Sequence, residues 1–183
     1  MSSFQITQVD AILIFDHNGE KIAAKYYILH GTNQAAIPPE KQGAFEKSLL
    51  NQMSQVKDSG VFDGCILVEN HTVVYHIVND IYITVVGQLF ENELILSQMC
   101  NTIKQSLVGI THDDISKEVL YEKLASVFLL LDDAVDGGII METDPNVIVK
   151  RLRRKDRDSN ENIPFNQAIY NVRNNVIRTL LNS

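Results

Sequence analysis

The sequence predicts an α/β domain: a five-stranded, mainly antiparallel sheet with helices on both faces. Three observations predict it. Two strand-length runs, Val9–Phe15 and Ile81–Val86, are apolar almost throughout, as strands covered on both sides are. Three strand-like runs between Cys65 and Val86 are separated only by short turns, which makes them antiparallel neighbours. Several long stretches carry apolar residues at spacings of three to four, the period of an amphipathic helix. The resulting order is ββαβββαα plus a C-terminal extension, with no internal repeat.

Val9–Phe15 is the first strand. Asp16-His17-Asn18-Gly19 comes next, and Asn-Gly between two strand-like runs predicts a type I′ hairpin, with φ > 0 at both central residues. Ile22–Tyr27 is the second strand, more polar and so more exposed. Ile28–Pro39 reads as a loop closed by Pro38-Pro39. From Glu40 the period changes: Phe45, Leu49, Met53 and Val56 mark a helix that ends at Lys57-Asp58-Ser59-Gly60.

Cys65–Val68, Thr72–Val78 and Ile81–Val86 are the next three strands, turned at Glu69-Asn70-His71 and Asn79-Asp80. From Glu91 the chain is helical, with Leu96, Met99, Cys100, Ile103 and Leu107 in one stripe. Gly109 and Ile110-Thr111-His112 predict a break, and Thr111 or Asp113 can cap the next helix. A single helix over about Ile115–Val135 carries the cleanest pattern, through Leu120, Leu124, Val127, Phe128, Leu131 and Val135. Gly137-Gly138 let it stop. Asp144-Pro145 reads as an N-cap followed by proline at the first helical position, beginning a brief helical turn. Arg157–Asn162 is a polar linker. Asn166–Leu181 is a last amphipathic helix, too short to be stable alone in water and so in need of a surface.

The chain has 183 residues, enough for one domain with a real core and a tail. Its net charge of −7 argues against nucleic-acid binding. The charge is uneven: Lys150–Arg157 holds six basic residues and one acidic, +5, so the remainder carries −12. Such a run is commonly a solvated surface; it also suits an acidic partner or anionic lipid. Cys65 and Cys100 sit in apolar sequence surroundings, as buried free thiols of a reducing compartment do. The N-terminus has neither a basic nor an apolar leader region, and the apolar runs are too short to span a bilayer. The sequon Asn70-His71-Thr72 matters only in a secreted protein and carries no weight here.

The sharpest catalytic-looking pattern is Asp132-Asp133-Ala134-Val135-Asp136, the D-D-x-x-D spacing by which prenyl-diphosphate synthases hold Mg²⁺. Those enzymes are all-helical and need a second carboxylate cluster on a facing helix. This chain has five predicted strands and no such second cluster. The pattern also fails as a Ca²⁺ loop, because Ala134 stands where an oxygen ligand is needed. Acids at a helix C-terminus are mildly unfavourable, so basic groups of a partner are one explanation for them. The five histidines have no metal-ligand spacing on a helix, and neither cysteine has a recognisable nucleophile context. Serine-elbow, P-loop and dinucleotide fingerprints are absent. The reading is therefore a non-enzyme without cofactor or metal.

Four stretches carry a family resemblance. Val9–Tyr27 (VDAILIFDHNGEKIAAKYY) resembles the opening hairpin of the small subunits of vesicle-coat adaptor complexes, which have a longin/SNARE-like fold. Phe45–Gln52 (FEKSLLNQ) resembles their first helix, Glu91–Leu94 (ENEL) the start of their second, and Leu131–Pro145 (LDDAVDGGIIMETDP) the end of their third. The last stretch and the F-E-K helix are similar to the zeta branch, from coatomer, more than to sigma adaptins. The resemblance covers about Val9–Leu152, dividing the chain into a longin-like domain, 1–152, and a linker with a C-terminal helix, 153–183.

The resemblance implies a non-enzymatic, cytoplasmic coat subunit, peripheral on Golgi membranes and vesicles when assembled. It implies pairing with the gamma subunit of coatomer, with an Arf-type GTPase and the membrane met through the complex, in retrograde Golgi-to-ER and intra-Golgi transport. A sigma-type clathrin-adaptor subunit is the alternative, and a Mg²⁺-dependent prenyl-chain enzyme the remote one. The residues expected to meet a partner are Phe45, Leu49, Glu91, Asn92, Asp132, Asp136, Lys150, Arg151, Arg153 and Arg154. Binding of acidic dileucine cargo is not expected. Ile81 keeps an apolar character at its place in that pocket. Lys104, however, falls where an apolar wall residue belongs, and Ile22 where a basic residue would meet the signal.

Overall fold

The structure, a computed structural model, describes residues 7–28, 31 and 33–159, with only the backbone described over 155–159. The helix expected at Asn166–Leu181 and residues 160–162 of the expected linker lie outside the described residues; Arg157–Ser159, expected in that linker, are instead the last residues of a helix over Pro145–Ser159. One compact unit extends to Val149, and a second begins at Lys150.

A five-stranded sheet, antiparallel at every pairing, organises the first unit. Its strands are β1 (Val9–Asp16), β2 (Lys21–Tyr26), β3 (Asp63–Val68), β4 (His71–Val78) and β5 (Ile81–Gln88), in the spatial order β2-β1-β5-β4-β3. The two most apolar runs lie side by side, with β5 at the centre and every residue of β1 buried. Side-chain alternation assigns the two faces. Leu13, Thr84 and Tyr75 are in register and look toward α1 (Pro39–Asp58), whose Phe45, Leu49 and Met53 complete that core. Ile12 and Val85 look the other way, toward α2 (Glu93–Thr111). Thr84 is fully buried and its hydroxyl donates to the Leu13 carbonyl at 3.0 Å, which satisfies it inside the sheet.

The first hairpin differs from the expected type I′ turn. Gly19 (φ +79) has positive φ and Asn18 does not. Gly19 N–H donates to the Asp16 carbonyl, and the β1–β2 register shifts between Ile14 and Phe15, so the turn is a longer, bulged one. The buried Asp16 carboxylate sets its shape by accepting from the Asn18 and Glu20 N–H groups at 2.9 and 2.8 Å.

The stripe on α2 is buried as its spacing predicts: Leu96, Met99, Cys100, Ile103 and Leu107 are all fully buried. Gly109 does not break this helix. A Cβ there would lie 2.7 Å from Val149 Cγ2, so the glycine serves close packing. The break comes at His112 and Asp113, both in the left-handed region (φ 55° and 69°). The hydroxyl of Thr111 turns back to Leu107, and Ser116 begins the next helix.

The single helix expected to Val135 is two: α3 (Lys117–Glu122) and α4 (Leu124–Ala134), interrupted at Lys123 (φ −102°, ψ 20°). Val135–Asp136 (β6) and Ile139–Ile140 (β7) then form a small hairpin. Gly137 and Gly138, both at positive φ, are its two turn residues rather than a simple helix stop. Gly138 also touches the start of β1: its carbonyl accepts from Val9 N–H at 2.8 Å, and a Cβ would lie 2.8 Å from the Val9 oxygen. Asp144 caps α5 (Pro145–Ser159) as expected, its carboxylate accepting from Asn146 N–H at 2.9 Å. The brief helical turn is thus a 15-residue helix.

Candidate partner-binding surfaces

The acidic corner at the end of α4 is answered within the chain. Asp132 forms an ion pair with Lys25 of β2. Burial lowers the Lys25 ammonium below its usual range, and nearby Asp136 partly offsets this. The Lys25 ammonium also lies 5.7 Å from the Tyr27 ring centre. Burial, and then Asp136, raise the Tyr27 phenol. Asp132 and Asp136 belong to the expected D-D-x-x-D motif, yet no cluster of three or more potential metal ligands occurs among the described residues.

The other expected residues take three kinds of place. Phe45 and Leu49 are core: they hold α1 on the sheet, at 1% and 0% exposure, and offer no surface. Asn92 is the N-cap of α2, its side-chain oxygen accepting from Leu94 N–H at 3.0 Å and Ile95 N–H at 3.4 Å. Glu91 accepts from the backbone N–H groups of Gln8 and Asn92 at 3.3 and 3.1 Å, tying that helix start to the entry of β1. Lys150, Arg151, Arg153 and Arg154 are exposed on α5. Phe45 and Leu49, being core, therefore share no surface with Glu91, Asn92, Asp132 and Asp136.

Two polar arrangements escaped the sequence. Lys117 of α3 bridges Asp16 Oδ2 at 2.9 Å and Glu20, and Tyr121 donates to Glu20 at 3.0 Å. The charged residues concerned lie about a hundred positions apart, so no local pattern signals them. The fully buried Asp10 carboxylate meets His71 Nδ1 at 3.1 Å, and the His71 ring stands edge-on to Phe45 with centroids 5.3 Å apart.

A third arrangement is apolar. On the α2 side of β3, Cys65 and Leu67 are exposed, Leu67 at 59%. Beside them Leu94 on the first turn of α2 is 81% exposed, and Phe90, held at φ 70° in the loop before it, is 92% exposed. Cys65 is therefore a surface thiol, unlike the buried Cys100. Partial desolvation, and then the neighbouring Glu93 carboxylate, raise its pKa. The alternation of Cys65 and Leu67 with half-buried Ile66 and buried Val68 could have flagged this face, but strand alternation does not say which side will be left open.

No described helix is long and apolar enough to cross a membrane.

The sequence profile of the clathrin adaptor complex small chains matches residues 8–159. Human coatomer subunit zeta-1 is 36% identical over 150 residues, 82% of this chain and 79% of the relative. Coatomer subunit zeta of Saccharomyces cerevisiae is 35% identical over 159 residues, covering 84% and 82%. The probable coatomer subunit zeta-A of Dictyostelium discoideum is 31% identical over 182 residues, covering 98% and 99%. In fold, the chain is similar to one in a homology model of the full-length AP-3 complex, at a TM-score of 0.64 and 18% identity, covering 84% of this chain and 96% of that one. The five-stranded sheet between helices is thus the longin-like fold of adaptor small subunits, and the chain belongs to the clathrin adaptor complex small chain family, with coatomer zeta subunits among its relatives.

Proposed function

We propose that this chain is the zeta-type small subunit of a coatomer coat and pairs with the large gamma subunit. The observation that carries the reading is its similarity to coatomer zeta subunits, at 31–36% identity over most of both chains. The exposed apolar residues around β3 and the start of α2 support it, because a subunit built for a permanent partner leaves such a surface when alone. In this reading the chain has no catalytic role. It resides in the cytoplasm and reaches Golgi membranes within the assembled coat, which an Arf-type GTPase recruits for retrograde Golgi-to-ER and intra-Golgi transport.

The reading excludes dileucine cargo in the manner of sigma subunits. Ile22 is 5% exposed and carries no charge for an acidic signal, and the half-buried Lys104 ammonium stands near His76. Seating leucine side chains against that ammonium requires its desolvation. A dileucine peptide titrated into the gamma–zeta pair is expected to give no saturable signal. Saturable binding lost on substitution of Lys104 or Ile81 overturns this point.

Co-expression with the coatomer gamma subunit tests the main proposal. The expected result is a stable one-to-one heterodimer on size exclusion. A chain that stays monomeric and elutes apart from gamma defeats it.

A further inference from the structure

The helical layer on one side of the sheet stops short of its edge. On the face opposite α1, α4 packs over β2 and against α2, while α2 packs over β4 and β5. Helices laid side by side are spaced ~10 Å apart and strands ~4.8 Å, so two helices cover about four strands. The fifth, β3, is left with Cys65 and Leu67 uncovered. The first turns of α2 reach β3 only at a groove, where Glu93, Leu94 and Ser97 face Asp63 and Cys65. The outer edge of β3 pairs with no strand among the described residues. Val68, His71 and Gln88 are in register, so the loop carrying exposed Phe90 lies at the Leu67 end of this face.

Acids outnumber bases around this face, with Lys104 of α2, near the groove-lining His76, as the exception. No Lys or Arg occurs between Lys57 and Lys104, while Asp58, Asp63, Glu69, Asp80, Glu91 and Glu93 do. Asp63 and Glu93 line the groove itself, and Glu69 and Glu91 lie at the Leu67 end. A second copy meeting this chain through the same face would bring acids against acids, and an anionic membrane would be repelled. An occupant that fits has an apolar ridge flanked by Lys and Arg.

We propose that this face is completed by an amphipathic α-helix of the large coat subunit, lying beside α2 across β3 as the third helix of the layer, its apolar ridge on Cys65, Leu67, Phe90 and Leu94 and its basic flanks toward Asp63 and Glu93. This rests on the proposed pairing with gamma and goes further, by giving that pairing a surface and a chemistry.

The test uses the full chain, alone and with co-expressed gamma subunit. Cys65 reports on the face without any mutation. Its alkylation by a maleimide is expected to slow at least tenfold in the complex, while Cys100 is unreactive in both. Leu67→Asp with Leu94→Asp is expected to weaken pairing roughly a hundredfold, because the occupant must then bury two carboxylates. An unchanged melting transition of that variant shows that it has folded. Asp63→Lys with Glu93→Lys is expected to lower the association rate and flatten its salt dependence. Heterodimer formation with Cys65 still fully reactive, or tolerance of the double aspartate variant, overturns the assigned face and leaves the pairing intact. No heterodimer with wild-type chain defeats the pairing and this assignment together. Protection of Cys65 in the chain alone, whether as a monomer or in a concentration-dependent dimer, overturns it in favour of the chain's own residues or a second copy. A charge-reversed variant with unchanged rate and salt slope overturns the basic character of the helix.

Discussion

The two edges of the sheet are finished in opposite ways. β2 is an edge strand carrying Lys21 and Lys25, a common means of keeping an edge from pairing with another chain. Both of its faces are tied down by the chain itself. On the α1 side, Glu46 accepts from Lys21 at 2.7 Å and from Tyr26 at 2.6 Å. On the other side, Lys25 meets Asp132 of α4, and the Lys117–Tyr121 pair of α3 grips Asp16 and Glu20 at the preceding turn. β3, at the far edge, has no Lys or Arg and presents apolar side chains. On the docking proposed above, the difference separates stability from assembly: substitutions at the β2 edge are expected to disturb the fold, and substitutions at the β3 edge what binds to it.

The largest effect expected on that basis is at Asp16. It is nearly fully buried and accepts from Lys117, Asn18 N–H and Glu20 N–H. Asp16→Ala is expected to cost about 2–3 kcal/mol by losing these charge-assisted bonds, read from urea denaturation. Asp63→Ala at the opposite edge should stay within about 0.5 kcal/mol. Equal losses at the two positions would break the comparison.

Acid should act through the same edge. Burial works against ionisation of Asp16, yet the hydrogen bond from Lys117 and those from the Glu20 and Asn18 N–H groups outweigh it, so its carboxyl lies below the usual value. A carboxyl whose folded pKa is depressed adds stability that is present above the unfolded value, about 3.9, and is lost as pH falls through the folded one. Stability curves for the wild type and Asp16→Asn should therefore converge as pH drops below about 4. Curves that stay parallel from about pH 6 to about pH 2 would show that Asp16 carries none of this dependence.

Next in size is Lys25→Met. Its ion-pair partner Asp132 is more than half exposed, so the pair contributes under about 1 kcal/mol and its loss is partly made good by relieving a desolvated ammonium. Thermal melts in low and high salt check this, with a smaller difference from wild type expected in high salt.

Much of this division was legible in the sequence. The apolar runs gave β1 and β5 their central places, because a strand covered on both faces cannot alternate. The helix stripes named the buried residues of α2. Local pattern failed where long-range contacts decide. Phe45 and Leu49 matched a family stretch, but the residues of an amphipathic helix that a sequence comparison finds most readily are also those that face its own core. Asp132 looked like an acid in need of a partner, and its partner is over a hundred residues earlier on β2. Gly109 read as a break because helix propensity cannot see Val149. Lys123 gave no signal, since the 3.6-residue pattern runs straight through the interruption. The open face of β3 depends on how many helices cover one side of the sheet, which no periodicity records.

The smallest effect on the fold, and the sharpest contrast with Asp16, is expected at Leu67. Its side chain is 59% exposed in the free chain, so little apolar area leaves water there on folding. Leu67→Thr keeps a branched side chain on a strand, where threonine is well accommodated. The free chain should then unfold within about 0.5 kcal/mol of wild type. Its surface should change more than its stability, with less binding of a hydrophobic dye. That difference should vanish once gamma is present, because the proposed helix covers the residue. Dye fluorescence titrated with the free chain and with the heterodimer separates the outcomes. A variant that unfolds more easily but binds the dye as before would place Leu67 among the residues that hold the fold, and the two edges would no longer differ in kind.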